Sequence, residues 1–466
     1  MSGRTHLIGI GGIGMSALAK LLLARREAVS GSDVAASSLT EELRRLGAQV
    51  TIGHRAELVE GAARAVYSDA VHDDNPELRR ARQIGLPTLR RSQLLAELME
   101  GRRGIAISGT HGKTTVAAMV GLILTEAGMD PTVVLGGEYA PLGGNARVGS
   151  GAWMVVEACE AYESYLDLSP EVAVITNIDP DHLDHHGTEA RLRASFSRFL
   201  DRIVPGGRAV LCADRPELHE LAARVDREVI TYGLTVAAQI RGIEPCLDGL
   251  GGGCRVSADD RDQGELRLAV PGRHNLVNAL GAVAAARLAG VPIPAALAAL
   301  ASFRGVGRRF EVLGEANGIA VVDDYAHHPA ELAATLEAAR AAFPGRRLVA
   351  VFQPHLYSRT RDFAEEFAGA LAAADAVVLT EIYPAREAPL PGVTTRLILR
   401  ALRQGRGEDG AREVAKRKLV AALSQLTRAG DVVLMMGAGD IGQVAREFAS
   451  SLGITPGEER AAPAKP

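Results

Sequence analysis

Short apolar runs alternate with segments of helical period along almost the whole chain. The runs 5-THLIGI-10, 105-IAIS-108, 153-WMVVEA-158, 172-VAVITN-177 and 208-RAVLC-212 predict strands, as do 319-IAVVDD-324, 347-RLVAVF-352, 376-AVVLTE-381 and 431-DVVLMM-436. Apolar strands separated by helical stretches imply mostly parallel sheets with covering helices, the doubly wound α/β class. Three segments follow from the punctuation. The first, 1–100, opens with a strand, a glycine turn and a helix. The second, 101–306, begins at the basic, glycine-flanked 101-GRRG-104, and the third, 307–456, near 305-GVGRRFE-311. The Pro- and charge-rich end, 457–466, is expected to be disordered. The run 244-EPCLDGLGGGC-254 reads as a glycine-rich loop or a hairpin turn.

A chain of 466 residues is too long for one ordinary core, which agrees with several domains. Hydrophobic residues at 47% and charged residues at 23% are in the range of a soluble globular protein. A net charge of -4 gives no electrostatic case for nucleic acid. Cys159, Cys212, Cys246 and Cys254 form no CxxC pair, so a reducing cytoplasm is expected. The apolar run 7-LIGIGGIGMSALAKLLLA-24 resembles a signal core or a membrane span in hydropathy alone. Glycines crowd its first half and Lys20 interrupts it, so a strand turning into a helix is the better reading.

Three glycine loops follow predicted strands: 9-GIGGIG-14, 109-GTHGKTT-115 and 437-GAGDIG-442. In the first, Gly9, Gly11, Gly12 and Gly14 would permit a tight turn and close approach of a pyrophosphate to a helix N-terminus. Asp33, at the end of the next predicted strand, suits a ribose hydroxyl. The pattern alone specifies a diphosphate-bearing nucleotide, of which NAD is one, and a purely structural turn competes with it. For the third loop the structural turn is at least as good a reading. The second loop is more specific, although a complete Walker A motif has a glycine where this chain has Ile107. Gly109 and Gly112 flank the turn, Lys113 can reach β/γ-phosphates, and the Thr114 hydroxyl can ligate Mg²⁺.

A phosphate loop for ATP also needs metal ligands from neighbouring strands. Glu157 ends an apolar strand, where an acid is costly unless paired or metal-bound. The loop 177-NIDPDHLDHHG-187 follows another strand and carries acids together with His182 and His186. Carboxylate oxygens suit Mg²⁺; the His182/His186 spacing lacks the glutamate-base signature of a zinc site, and a solvated polar loop without metal also fits. In the third segment, 323-DDYAHHP-329 and 352-FQPHLYSRTRD-362 lie at the carboxyl ends of strands, where open α/β sheets bind ligands. Arg359 or Arg361 is suited to a carboxylate.

Taken in order, these motifs closely resemble the bacterial Mur ligases over nearly the whole chain. The resemblance rests on GIGGIGMSALA, RRSQLLAELM, GTHGKTT, EACE with TNIDPDHLD, PGRHNLVNAL, GVGRRFE, DDYAHHP, FQPHLYSRTRD, YPARE and GAGDIG. It implies an N-terminal Rossmann-like domain for a UDP-bearing substrate, a central P-loop-like ATP domain and a C-terminal Rossmann-like domain for an amino acid. It implies that L-alanine is joined to the lactyl carboxylate of UDP-N-acetylmuramate through an acyl phosphate, with ATP and Mg²⁺, in two ions, as cofactors. ATP would then meet Gly109, Thr110, His111, Gly112, Lys113, Thr114 and Thr115, with Asn275, Asn278 and Arg308. The UDP part would meet Gly9, Gly11, Gly12, Gly14 and Asp33 in place of NAD. Thr114, Glu157 and His182 look like the metal ligands; Tyr325, His327 and Arg359 match the amino-acid side. Lys113, His327 and Arg359 would carry the chemistry.

Two departures qualify the match. No lysine lies between Leu183 and Phe199, where other family members carry a carbamylated one, consistent with the alanine-adding branch. Leu356 stands where the family often has arginine, which leaves more of the carboxylate binding to Arg359 or Arg361. The alternative enzyme is a recycling ligase that attaches a whole tripeptide to UDP-N-acetylmuramate. An NAD-dependent dehydrogenase fits the first glycine loop and leaves GTHGKTT idle. The expected protein is a cytoplasmic monomer or weak homodimer, with no membrane span.

Overall fold

The computed structural model describes residues 3–181, 183–385, 387–406 and 411–455; His182 and the tail 457–466 lie outside the described residues. Three sheets carry the fold. The first is wholly parallel: β1 (Thr5–Ile8), β2 (Val29–Asp33), β3 (Gln49–Ile52), β4 (Arg64–Tyr67) and β5 (Thr88–Arg90), in the order β3-β2-β1-β4-β5. β1 stops at Ile8, two residues short of the predicted strand. Gly9 turns the chain at φ +78°, a region that favours glycine, and the amides of Gly9 and Ile10 both donate to Ser32 O. The apolar run 7–24 is thus strand, turn and the twelve-residue helix Ile13–Ala24. Among the described residues no helix is long and apolar enough to cross a membrane.

The second sheet has ten strands. They are β6 (Arg103–Ser108), β7 (Thr132–Tyr139), β8 (Gly144–Arg147), β9 (Trp153–Glu157), β10 (Val172–Ile175), β11 (Arg208–Cys212), β12 (Glu228–Gly233), β13 (Ile240–Asp248), β14 (Gly251–Ala258) and β15 (Arg261–Leu268). Their order is β15-β14-β13-β12-β11-β10-β6-β9-β7-β8. β6 sits between β9 and β10 with parallel pairing on both sides, so the loop after it opens at the carboxyl edge of a buried strand. The glycine-rich run 244–254 is mostly strand: β13 and β14 meet at Gly249-Leu250, which leaves only the turn of the expected hairpin irregular.

The third sheet comprises β16 (Glu311–Ala316), β17 (Ile319–Asp324), β18 (Arg347–Phe352), β19 (Ala376–Leu379), β20 (Ala411–Glu413) and β21 (Asp431–Met436), in the order β16-β17-β21-β18-β19-β20. Only the edge strand β16 runs antiparallel. Alternate residues face opposite cores. Val322, Leu348, Ala350 and Leu434 pack on one face with Leu336 and Phe367, while Val321, Val349, Val351 and Val433 pack on the other with Leu423 and Phe448. A strand buried on both faces must be apolar at every position, which is why its sequence shows no alternation. The chain forms two compact units. One comprises Met1–Pro245, Gly253–Leu268 and Asn275–Val306 and holds the first sheet and most of the second; the other comprises Cys246–Gly252, Ala269–His274 and Gly307–Pro466 and holds the third.

Candidate active site

The second glycine loop, 109–115, hangs between β6 and the helix Lys113–Glu126. Gly109 and Gly112 both take positive φ, +125° and +83°, and neither position has room for a side chain. A Cβ on Gly109 would lie 2.1 Å from Thr176 Oγ1, and one on Gly112 would lie 2.7 Å from Asn278 Oδ1. The end of β10 holds the loop from outside. His111 N donates to Asn177 Oδ1 at 2.9 Å, Thr176 Oγ1 donates to His111 O at 2.6 Å, and Asp179 N donates to Thr110 Oγ1 at 2.9 Å. Ile107, the missing Walker glycine, is a fully buried β6 residue. The turn here starts two residues later, at Gly109, so the strand keeps an apolar side chain in that place.

Lys113 folds back over this loop. Its ammonium donates to Gly109 O at 2.5 Å and Thr110 O at 3.0 Å, and pairs with Glu160 at 2.9 Å. The Glu160 side chain is 2% exposed and that of Lys113 16%. Burial works against the Lys113 charge, but the negative groups around it together, Glu160 first among them, outweigh it and hold the lysine above its ordinary range. Glu160 had no role in the sequence reading. Its signal was the second acid of 157-EACE-160, three residues beyond Glu157.

Thr114 Oγ1 donates to Glu157 Oε2 at 3.1 Å, and Gly136 N donates to Glu157 Oε1. Two ligands at right angles on a Mg²⁺ ion, each about 2.1 Å from it, would stand about 3 Å apart. The hydroxyl and carboxylate oxygens therefore fit a hard octahedral cation. Among the described residues no group of three or more His, Cys, Asp and Glu side chains could hold a metal.

At the first glycine loop, Gly11 N donates to Asp33 Oδ2 at 2.8 Å, so the carboxylate expected to meet a ribose pins the loop in this structure. A Cβ on Gly11 would lie 2.9 Å from that oxygen and one on Gly14 would lie 3.1 Å from Arg91 Cδ. Gly9, Gly11, Gly12, Gly14 and Asp33 thus come together, with Gly12 capping the helix Ile13–Ala24. On the helix Arg273–Leu288, Asn275 and Asn278 are both buried, and Asn278 reaches Gly112.

In the second unit the predicted residues form a chain of rings and guanidiniums. Arg308 and Arg309 lie 5.0 and 4.8 Å from the Tyr325 ring centroid. Tyr325 meets His327 edge-on at 5.3 Å, and His327 meets His355 at 5.8 Å. His327 Nδ1 stands 3.0 Å from Tyr325 O and 3.0 Å from Glu331 Oε2. A carbonyl only accepts, so Nδ1 carries the proton and Nε2 is the basic nitrogen. Arg359 is buried beside His355, 3.4 Å from its Nδ1, whereas Arg361 pairs with its neighbour Asp362. Leu356 is buried at φ +70° and starts the helix Tyr357–Asp362.

The third glycine loop packs side chains. Gly437 O accepts from Arg308 Nη2 at 2.7 Å, and a Cβ on Gly439 would lie 2.5 Å from both Gln353 Oε1 and the Tyr383 ring. Gly442 leaves room for Arg308 and for Asp323, whose carboxylate burial pushes upward against the pull of Arg308 and Arg446.

Three family models match the chain in succession: Mur ligase family, catalytic domain, over residues 4–103; Mur ligase middle domain, over 107–286; and Mur ligase, glutamate ligase domain, over 308–439. A UDP-N-acetylmuramate–L-alanine ligase of Sorangium cellulosum is 45% identical over 96% of this chain and 96% of its own. One from Xylella fastidiosa is 46% identical over 96% and 95%. The crystal structure of the UDP-N-acetylmuramate–alanine ligase of Thermotoga maritima superposes with a TM-score of 0.83 at 32% identity, covering 97% of this chain and 99% of that one.

Proposed function

The chain belongs to the Mur ligase family, and from that premise we propose that it joins L-alanine to the lactyl carboxylate of UDP-N-acetylmuramate. The products are UDP-N-acetylmuramoyl-L-alanine, ADP and phosphate, and the reaction belongs to peptidoglycan synthesis. The observation that carries this reading is the phosphate loop with its paired Lys113 and Glu160, in a chain so similar over its whole length to ligases of that name.

In this reading residues 1–100 take the UDP part, 101–306 take ATP and 307–456 take the amino acid. ATP lies on Gly109–Thr115, with Asn275 and Asn278 completing its contacts. Lys113, its ammonium already held over the loop, donates to the phosphoryl oxygens as the muramyl carboxylate attacks the γ-phosphorus and ADP leaves. Thr114 and Glu157 would hold Mg²⁺, which would supply positive charge against the phosphates. The L-alanine amine then attacks the acyl carbon, and the tetrahedral intermediate expels phosphate. His327 Nε2 takes the proton that the amine gives up, because Nδ1 is committed to Tyr325 O and Glu331. Arg359 holds the alanine carboxylate. We place the protein in the cytoplasm, which suits its four free cysteines.

The test is phosphate release from ATP, Mg²⁺ and UDP-N-acetylmuramate with either L-alanine or the tripeptide as acceptor. L-Alanine should be the better acceptor by far. Preference for the tripeptide would transfer the chain to the recycling reaction, and NAD(H) binding at micromolar concentration would reopen the dehydrogenase reading of the first loop.

A further inference from the structure

Lys20 is the single charge in the apolar helix Ile13–Ala24, and no step above uses it. It is 8% exposed, and a buried ammonium is costly unless it is paired and hydrogen-bonded. Glu42 supplies a carboxylate at 2.8 Å, and Asn145 Oδ1 accepts a hydrogen bond at 2.8 Å. Asn145 is wholly buried, and its Nδ2 donates to Ile13 O at 2.6 Å and Ser16 Oγ at 2.8 Å. One amide group therefore uses its oxygen and its nitrogen on the first two turns of the helix that begins at the first glycine loop.

Asn145 itself belongs to β8, antiparallel partner of β7. β7 reaches the other loop: Gly136 N donates to Glu157, and a Cβ on Gly137 would lie 3.1 Å from Thr114 Cγ2. The β7–β8 hairpin thus touches the Thr114–Glu157 pair with one strand and the helix behind the glycine loop with the other. Both contacts lie within the first compact unit.

We infer that Asn145 is a positioning residue, which fixes the UDP-binding loop against the phosphate loop so that the muramyl carboxylate meets the γ-phosphate in line. The inference rests on the proposed reading of those two loops. A ligand bound correctly at each loop still reacts slowly if the two loops shift, since a misplacement of about 1 Å can cost about 10²-fold in rate. Removing the Asn145 amide leaves Lys20 with Glu42 but strips a side chain that ties this helix, at three points, to the hairpin.

The test compares Asn145→Ala and Asn145→Asp with the parent in three measurements: calorimetric melting, binary affinity for UDP-N-acetylmuramate and for Mg²⁺-ATP separately, and turnover. Turnover should fall by about 10²-fold while both binary affinities stay at parent values. The aspartate keeps the acceptor for Lys20 and loses the donors, so it should behave like the alanine variant in rate. Ser16→Ala removes one of the three ties from the opposite side, together with the bond from the Ser16 hydroxyl to Ile13 O within the helix, and should show a smaller loss of the same kind, which keeps the test open if an Asn145 variant does not fold. Parent-like turnover in folded variants overturns the inference, as does a rate loss matched by an equal loss of UDP-N-acetylmuramate affinity. A parent that makes no amide bond from UDP-N-acetylmuramate and L-alanine overturns the functional reading instead.

Discussion

Replacing Lys113 by alanine should damage the protein in two separable ways. The first is stability. Glu160, with 2% of its side chain exposed, loses its lysine partner at 2.9 Å. Breaking a buried ion pair by removing one partner costs about 3–5 kcal/mol, because the remaining charge is stranded. The lower end applies here, since Lys113 is partly open to water and Glu160 keeps other contacts. With about 2–4 °C per kcal/mol for a large domain, the melting transition of the first unit should drop by about 6–12 °C. The second effect is catalysis, where loss of a donor to the transferring phosphoryl group should lower turnover by about 10²–10³-fold. The double variant Lys113→Ala with Glu160→Gln separates them. Making residue 160 neutral removes the stranded charge, so most of the lost stability returns, while turnover stays low because nothing replaces the ammonium. Calorimetry and steady-state phosphate release at saturating substrates read the two effects independently. A Lys113→Ala protein as stable as the parent would show that the pair is not the electrostatic unit described, and recovery of turnover in the double variant would remove Lys113 from the chemistry.

Glu157→Gln keeps the shape of the side chain beside Thr114 but not its charge, so the Mg²⁺ concentration giving half-maximal activity should rise, and an unchanged Mg²⁺ titration would argue against the pair as a metal site. Glu77 is wholly buried and accepts from His6 at 2.7 Å, Ser32 at 2.8 Å and His54 at 3.0 Å. Burial alone would raise its pKa, but these bonds prevail and hold it below 4.5. The unfolded chain therefore binds its proton first as pH falls, so the stability Glu77 contributes is complete above pH 4.5 and is lost as pH drops through its folded value. Glu77→Gln should lower the urea midpoint at neutral pH and flatten the acid limb of a midpoint-against-pH series; parallel curves for the two proteins would refute this. Arg359→Lys replaces a planar fork with a point charge, so the KM for L-alanine should rise strongly while those for ATP and UDP-N-acetylmuramate stay near normal. Untouched alanine kinetics would mean that the carboxylate is held elsewhere.

What the sequence determined by itself was local. Fully apolar runs marked strands buried on both faces, and glycines ahead of Lys113-Thr114 marked a tight turn into a helix, because both properties are set by neighbouring residues. Tertiary structure decided which side chains meet. Ile107 in place of the Walker glycine is harmless because β6 continues through it and the turn begins at Gly109, a matter of register between strands. β7 and β8 escaped the apolar pattern: β7 carries Gly136 and Gly137 where Glu157 and Thr114 need close approach, and β8 places the polar Asn145 against the helix Ile13–Ala24. Glu160 was visible only as a second acid until folding put it on Lys113, 47 residues away. Lys20 looked like an interruption in an apolar helix, and its hydrogen-bond acceptor stands 125 residues further along the chain. No short-range pattern encodes such a pairing, since a buried polar group selects its partner by geometry that exists only once the sheets have formed.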